Sequence, residues 1–143
     1  MAAAAILYPL LALVALTAIV AVTMYRRRVA EMRGRRIHPQ QLALSAQRAA
    51  ALEDTRAADN FRNLFEAPVL FYTAVLTVFA AGLTAPVYVG LAWIYVATRI
   101  AHSAIQCTYN RVMHRFIAFA SGLLVLFAMF GLIAFDLLVA NRG

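Results

Sequence analysis

Four apolar runs divide the chain: Ala2 to Met24, Phe61 to Leu83, Val87 to Cys107 and Phe116 to Ala140. Each is long enough to cross about 30 Å of hydrocarbon, which takes roughly 20 residues of helix. In lipid every backbone N–H and C=O must be satisfied, so runs of this length without strand periodicity are restricted to helices. Hydrophobic residues make up 64% of the 143 and charged residues only 13%, far from the balance of a soluble domain. The expectation is an all-α membrane protein, a four-transmembrane-helix bundle spanning residues 1–143 as one domain in a lipid bilayer. The first run has no basic residue before it, exceeds a signal-peptide core in length, and is followed by Arg26-Arg27-Arg28. It therefore reads as a retained helix with a stop-transfer flank.

The connections differ sharply in length and charge. Only Thr84 to Val87 separate the second and third runs, which predicts a tight antiparallel hairpin with Pro86 opening the third helix. The first loop, Tyr25 to Asn60, carries Arg26, Arg27, Arg28, Arg33, Arg35, Arg36, Arg48 and Arg56, and the third carries Arg111 and Arg115. By the positive-inside rule both loops face the cytoplasm and both termini the periplasm, as in a bacterial inner membrane. Within the first loop, the Ala-, Leu-, Gln- and Arg-rich stretch after Pro39 predicts a short helix. The net charge of +7 does not point to nucleic acid, because all 13 basic residues are arginines and most lie in this one block between apolar runs. Cys107, the single cysteine, excludes an internal disulfide and a multi-cysteine metal site.

Ionisable groups inside spanning helices are costly and normally face a bundle interior or a water-filled cavity. The second run opens on "RNLFEAP", so a continuous helix would put Arg62, Asn63 and Glu66 on one face within a turn. A local ion pair between Arg62 and Glu66 is the plain reading. The third run sets Arg99, His102, Gln106 and Tyr109 three or four apart, a polar stripe on an otherwise apolar helix. His102 has no Cys, Asp or second His at metal-ligand spacing, so no metal is expected. Arg99 stays protonated and needs an anion or several acceptors, and Glu66 is the candidate partner. Arg62, Arg99 and Arg115, together with Asn63, Glu66 and Gln106, suit a small, multiply charged anion that also carries an amine. The basic block Arg26 to Arg28 reads more simply as a rim attracting anionic lipid. Small residues such as Ser121 and Gly122 read as points of close helix approach.

Four short spans, a long basic first loop, "RNLFEAP" at the start of the second span and "RIAH" in the third resemble the MAPEG family, the membrane-associated proteins in eicosanoid and glutathione metabolism. The resemblance runs over nearly the whole chain, and "RIAHSAIQCTYNRVMHRF" is most similar to small bacterial members. It implies a homotrimer with glutathione between adjacent subunits near the cytoplasmic side. It also implies that Arg62, Asn63, Glu66, Arg99 and His102 hold the carboxylates, the polar backbone and the glutamyl end. Arg115, at the start of the fourth span, corresponds to the arginine that contacts the sulfur. Three departures strip polar groups from the thiol side: Gln106 and Phe119 stand where related enzymes have tyrosines, and Phe116 where some have a serine.

Two functions follow from this reading. The first is a membrane-embedded glutathione transferase or peroxidase acting on apolar electrophiles or lipid hydroperoxides, with glutathione as co-substrate and Arg115 favouring the thiolate. The alternative is a non-catalytic scaffold or accessory subunit of a larger membrane complex, in which the polar cluster fixes helix register.

Overall fold

The computed structural model describes residues 3–140, and no strand occurs among them. After a short 3₁₀ turn at Ala3–Ile6, six α-helices follow: α1 Leu7–Gly34, α2 Ser45–Ala51, α3 Arg56–Asn63, α4 Ala67–Ala80, α5 Pro86–Cys107 and α6 Val112–Ala140. Three helical stretches are both long and apolar enough to cross a membrane: Ala4–Gly34, Arg56–Ala80 through α3 and α4, and Val112–Val139. The protein is an integral membrane protein. α5 departs from the sequence expectation. At 22 residues it has the length of a span, but it is not among the helices apolar enough to be counted as one. Arg99, His102, Ser103 and Gln106 lower its hydropathy, and all four are buried within the bundle.

The helix boundaries also shift from those read along the chain. α1 does not stop at Met24; it runs through Arg26, Arg27 and Arg28 to Gly34, since Arg, Glu, Met and Ala are all good helix formers. It ends where Arg36 takes a left-handed conformation, φ 54°, and the N–H of Ile37 reaches back to Met32 O at 2.9 Å. α6 begins at Val112, a turn earlier than Phe116. The stretch after Pro39 forms a 3₁₀ turn, Pro39–Leu42, and then α2.

The first loop is folded back onto the bundle by arginines and carboxylates. Glu31 accepts from the N–H groups of Glu53 at 2.7 Å and Asp54 at 3.4 Å. Arg27 Nη1 pairs with Asp54 at 3.4 Å while its Nη2 donates to Cys107 O at 2.7 Å, and Arg56 donates to Thr108 O. Those carbonyls close α5. The last carbonyls of a helix lack intrahelical partners and carry its negative dipole end, so guanidinium groups gather there.

The core runs along one face of each long helix: Leu13 and Val20 of α1; Phe71, Ala74, Val75 and Val78 of α4; Tyr88, Ala92, Tyr95 and Val96 of α5; Leu126, Met129 and Ile133 of α6. Phe71 stacks on Tyr95 at 4.6 Å between centroids. The expected hairpin of α4 and α5 is joined by a short turn, yet the broadest contact of α5 is with α6. Gly122 permits close approach at one point of that contact, since its missing Cβ would lie 2.7 Å from Thr98 Oγ1.

Candidate functional site

The second apolar run breaks where the sequence reading had one continuous helix. Pro68 lacks an N–H and its ring opposes the carbonyl four residues back, at Leu64. Leu64 to Glu66 therefore form a turn between α3 and α4, with Phe65 N–H on Arg62 O at 2.9 Å and Glu66 N–H on Asn63 O at 3.3 Å. Asn63 and Glu66 still meet across this turn through their side chains, as the shared face predicted, while Arg62 faces elsewhere. Among the described residues Arg62 makes no ion pair with Glu66; it is exposed and lines a separate cleft against α1 and α2.

Asn63 occupies the centre instead. Its Oδ1 accepts from Arg99 Nη2, its backbone oxygen lies 3.5 Å from the same nitrogen, and its Nδ2 donates to Glu66 Oε2 at 3.2 Å. The direct Arg99 to Glu66 pair read from the sequence is thus replaced by a relay through an amide. Glu66 is exposed on the single chain rather than buried. Arg99 is 1% exposed, and its guanidinium lies 5.8 Å from the Phe119 ring centroid, within cation–π range. Its Nε has no hydrogen-bond partner, and neither has the hydroxyl of Tyr95 one turn earlier. Orphaned groups of this kind are rare and call for an explanation.

His102 and Gln106 continue the stripe toward α6. His102 Nδ1 lies 3.1 Å from Arg115 O, which can only accept, so Nδ1 carries a proton. His102 Nε2 lies 2.9 Å from the Gln106 amide. A neutral ring is satisfied at both nitrogens when that amide turns its NH₂ group inward, since the oxygen and nitrogen of Gln interchange freely. Arg115 Nη1 donates to Asn110 Oδ1 at 2.8 Å, in the turn where Asn110 adopts φ 48°. Asn tolerates that left-handed position better than other non-glycine residues. Asn63, His102, Val112, Arg115, Phe116 and Phe119 together line a cleft of about 200 Å³. Arg99 touches this lining from behind, through Asn63 and Phe119.

Tyr109 is not part of the stripe. α5 ends at Cys107, and Tyr109 sits exposed in the turn with its hydroxyl 3.1 Å from His114 Nδ1. The sequence reading missed two members of the buried polar set. Asn60 is buried, with Nδ2 on Cys107 Sγ at 3.4 Å and Oδ1 accepting from Ser103 Oγ at 3.2 Å. Ser103 follows Arg99 by four residues and was legible as a stripe position. Asn60 ended the first loop in that reading, and nothing in its local sequence marks it as buried.

Neither Arg99 nor Arg115 has a carboxylate in ion-pair range among the described residues, where the ion pairs all involve Arg27, Arg35 or Arg56. The cleft and the wall behind it therefore carry two uncompensated guanidinium groups beside two amides, a histidine and two phenyl rings. Such a surface attracts a small anion from one side and an apolar molecule from the other. No curated protein and no solved structure matches the chain. The model of the MAPEG family does match, over residues 6–135, nearly the whole chain. The chain belongs to the MAPEG family.

Proposed function

We propose that the protein binds glutathione in the cleft beside Arg115 and Asn63 and uses it, as a transferase or peroxidase, on apolar electrophiles or lipid hydroperoxides within the membrane. The supporting observation is Arg99: a buried guanidinium with no carboxylate partner and an orphaned Nε, directly behind a cleft that holds a second arginine. Glutathione carries two carboxylates and an ammonium: Arg99 and the amide beside it complement a carboxylate, and the exposed Glu66 the ammonium. His102 and Gln106 lock the wall. Arg62 stands apart from these contacts, so in a single chain the reading rests on the other six residues. In the bilayer α5 is the fourth span, its polar face turned into the bundle, with both termini periplasmic and the basic loop cytoplasmic.

At about 200 Å³ the cleft is smaller than the roughly 300 to 1,000 Å³ usual for small-molecule sites. One chain thus offers part of a site, and a neighbouring copy in a homotrimer completes it. The thiol belongs beside Arg115, where a positive charge favours the thiolate. Phe116, 60% exposed, and Phe119 offer the apolar second substrate an entry from the lipid side.

The test is glutathione binding by titration calorimetry, followed by thiolate ultraviolet absorbance near neutral pH. Wild-type protein, three copies by mass in mild detergent, binds glutathione and generates a thiolate signal that free glutathione lacks. Arg115→Ala removes the signal and keeps most of the binding. Binding without a thiolate in wild type would remove the enzyme and leave a glutathione-binding protein; no binding at millimolar glutathione would remove both.

A second reading, a non-catalytic scaffold or accessory subunit of a larger membrane complex, is favoured by one observation. The chains Arg99–Asn63–Glu66 and Arg115–His102–Gln106 already satisfy most of their polar groups internally, as a network that fixes helix register would. Copurification in fixed ratio with other membrane subunits is its signature.

A further inference from the structure

Arg62 has a different neighbourhood from the rest of its motif. A cleft of about 190 Å³ opens between α1, α2 and α3, and Arg27, Arg28, Arg48 and Arg62 line it along with Asp54 and Asp59. Its two carboxylates are already engaged. Asp54 is held by Arg56 at 2.8 Å and Arg27 at 3.4 Å, and Asp59 accepts from Thr55 Oγ1 at 2.8 Å. Arg27 is engaged as well, on Asp54 and on Cys107 O. Among the described residues, no acceptor or carboxylate bonds to the side chains of Arg28, Arg48 or Arg62, since every side-chain ion pair belongs to other arginines. Three unpaired guanidinium groups from three helices thus line one concavity against a single carboxylate, Asp59, that no arginine pairs, which leaves a net positive surface.

The depth of the cleft identifies its occupant. Met24, the last residue of the first apolar run, lines it, and Arg62 stands at the start of the second. Apolar chain on both sides ends at this level, which is where lipid phosphates lie. Arginine matches a phosphate with paired N–H donors. We propose that Arg28, Arg48 and Arg62 form a binding site for a phosphate group, that of an anionic phospholipid headgroup seated at the membrane boundary. The site is separate from the cleft lined by Asn63, His102 and Arg115, and does not depend on the glutathione reading.

The experiment uses full-length protein in mild detergent, mixed with equal amounts of phosphatidylglycerol and phosphatidylcholine of matched acyl chains at about 0.15 M salt. At that ionic strength charges beyond about 8 Å are largely screened. Retained lipid is counted by native mass spectrometry. Wild-type protein retains phosphatidylglycerol in preference to phosphatidylcholine. Neutralising one arginine at an anionic surface costs about fivefold, so Arg48→Gln with Arg62→Gln lowers retention about twenty- to thirtyfold. Arg33→Gln with Arg36→Gln removes the same charge outside both the cleft and the Arg26 to Arg28 rim, and leaves retention within about twofold of wild type. Helicity and subunit mass, measured on both variants, confirm that the fold survives. Addition of 10 mM inorganic phosphate, roughly a thousandfold or more above a low-micromolar ligand, separates the sources: displacement makes a free phosphate sufficient, and resistance assigns the site to the lipid. Equal retention of the two lipids by wild-type protein, or equal losses in the two double variants, overturns the proposal.

Discussion

Arg99 keeps its charge while 1% exposed, and only the amide of Asn63 and the face of Phe119 answer it. A charge-assisted hydrogen bond contributes about 1.5 to 3 kcal/mol, so Arg99→Ala should weaken glutathione binding roughly ten- to a hundredfold by calorimetry. Arg99→Lys should rescue little of it, because an ammonium cannot keep Asn63 and the aromatic face together. A variant that loses thermal stability while wild-type protein binds no glutathione would make the residue a register element alone. The stripe Arg99, His102 and Gln106 was legible because α5 is regular, so spacing translates directly into a face. Arg62 was not, because it stands about 100° round α3 from its neighbour Asn63 and lines a different cleft, while Asn63 meets Arg99 and Glu66. Pro68 marked the break between α3 and α4, but reading "RNLFEAP" as one helix overrode it. Asn60 escaped for another reason: burial of an isolated amide is decided by Ser103 and Cys107 on a distant helix.

Between elements, the contact of α5 with α6 includes one point that a missing methyl group makes possible. A Cβ at Gly122 would sit 2.7 Å from Thr98 Oγ1 and 3.7 Å from Tyr95 Cε2. Thr98 cannot swing away freely, since its χ1 is restricted and its hydroxyl donates to Tyr95 O at 2.7 Å. Gly122→Ala should therefore cost about 1 to 3 kcal/mol, read as a lower melting temperature in detergent. Thr98→Ala in the same chain should restore part of the loss, with a coupling of about 0.5 kcal/mol or more. Strictly additive effects would mean that the helices touch elsewhere. The existence of the long helices was plain in the sequence, since apolar length alone decides it. Their ends were not, because α1 and α6 extend through arginine-bearing segments that look like loop by charge and are good helix by propensity.

Across the molecule, the basic loop is fastened to α1 and to the end of α5 through Asp54, which lies between α2 and α3, outside the spanning helices. The Arg56 side chain holds its carboxyl below the ordinary range, aided by the Arg56 backbone N–H and the charge of Arg27 and opposed by partial burial. A carboxyl depressed in the folded state stabilises the fold above its unfolded pKa, and that stability is lost as pH falls through the folded value. Glu31 faces the same segment and accepts from the Asp54 N–H, so protonation there adds to the release. Residues 52–56 should thus be protected at neutral pH and should open in acid, below the usual carboxylate range, before the apolar helices separate. Hydrogen exchange corrected for the intrinsic rate at each pH reads this directly. Asp54→Asn should lose much of the neutral-pH protection and flatten its dependence on pH, because an amide accepts a hydrogen bond but gives Arg56 and Arg27 no charge. Unchanged protection in that variant would shift the fastening to Glu31 and to the arginines on the α5 carbonyls. The consequence reaches the arginine-lined cleft as well, since Asp54 lines it and draws Arg27 away from it. Loosening Asp54 frees Arg27 to join Arg28, Arg48 and Arg62, so Asp54→Asn should raise retention of phosphatidylglycerol while it weakens the loop.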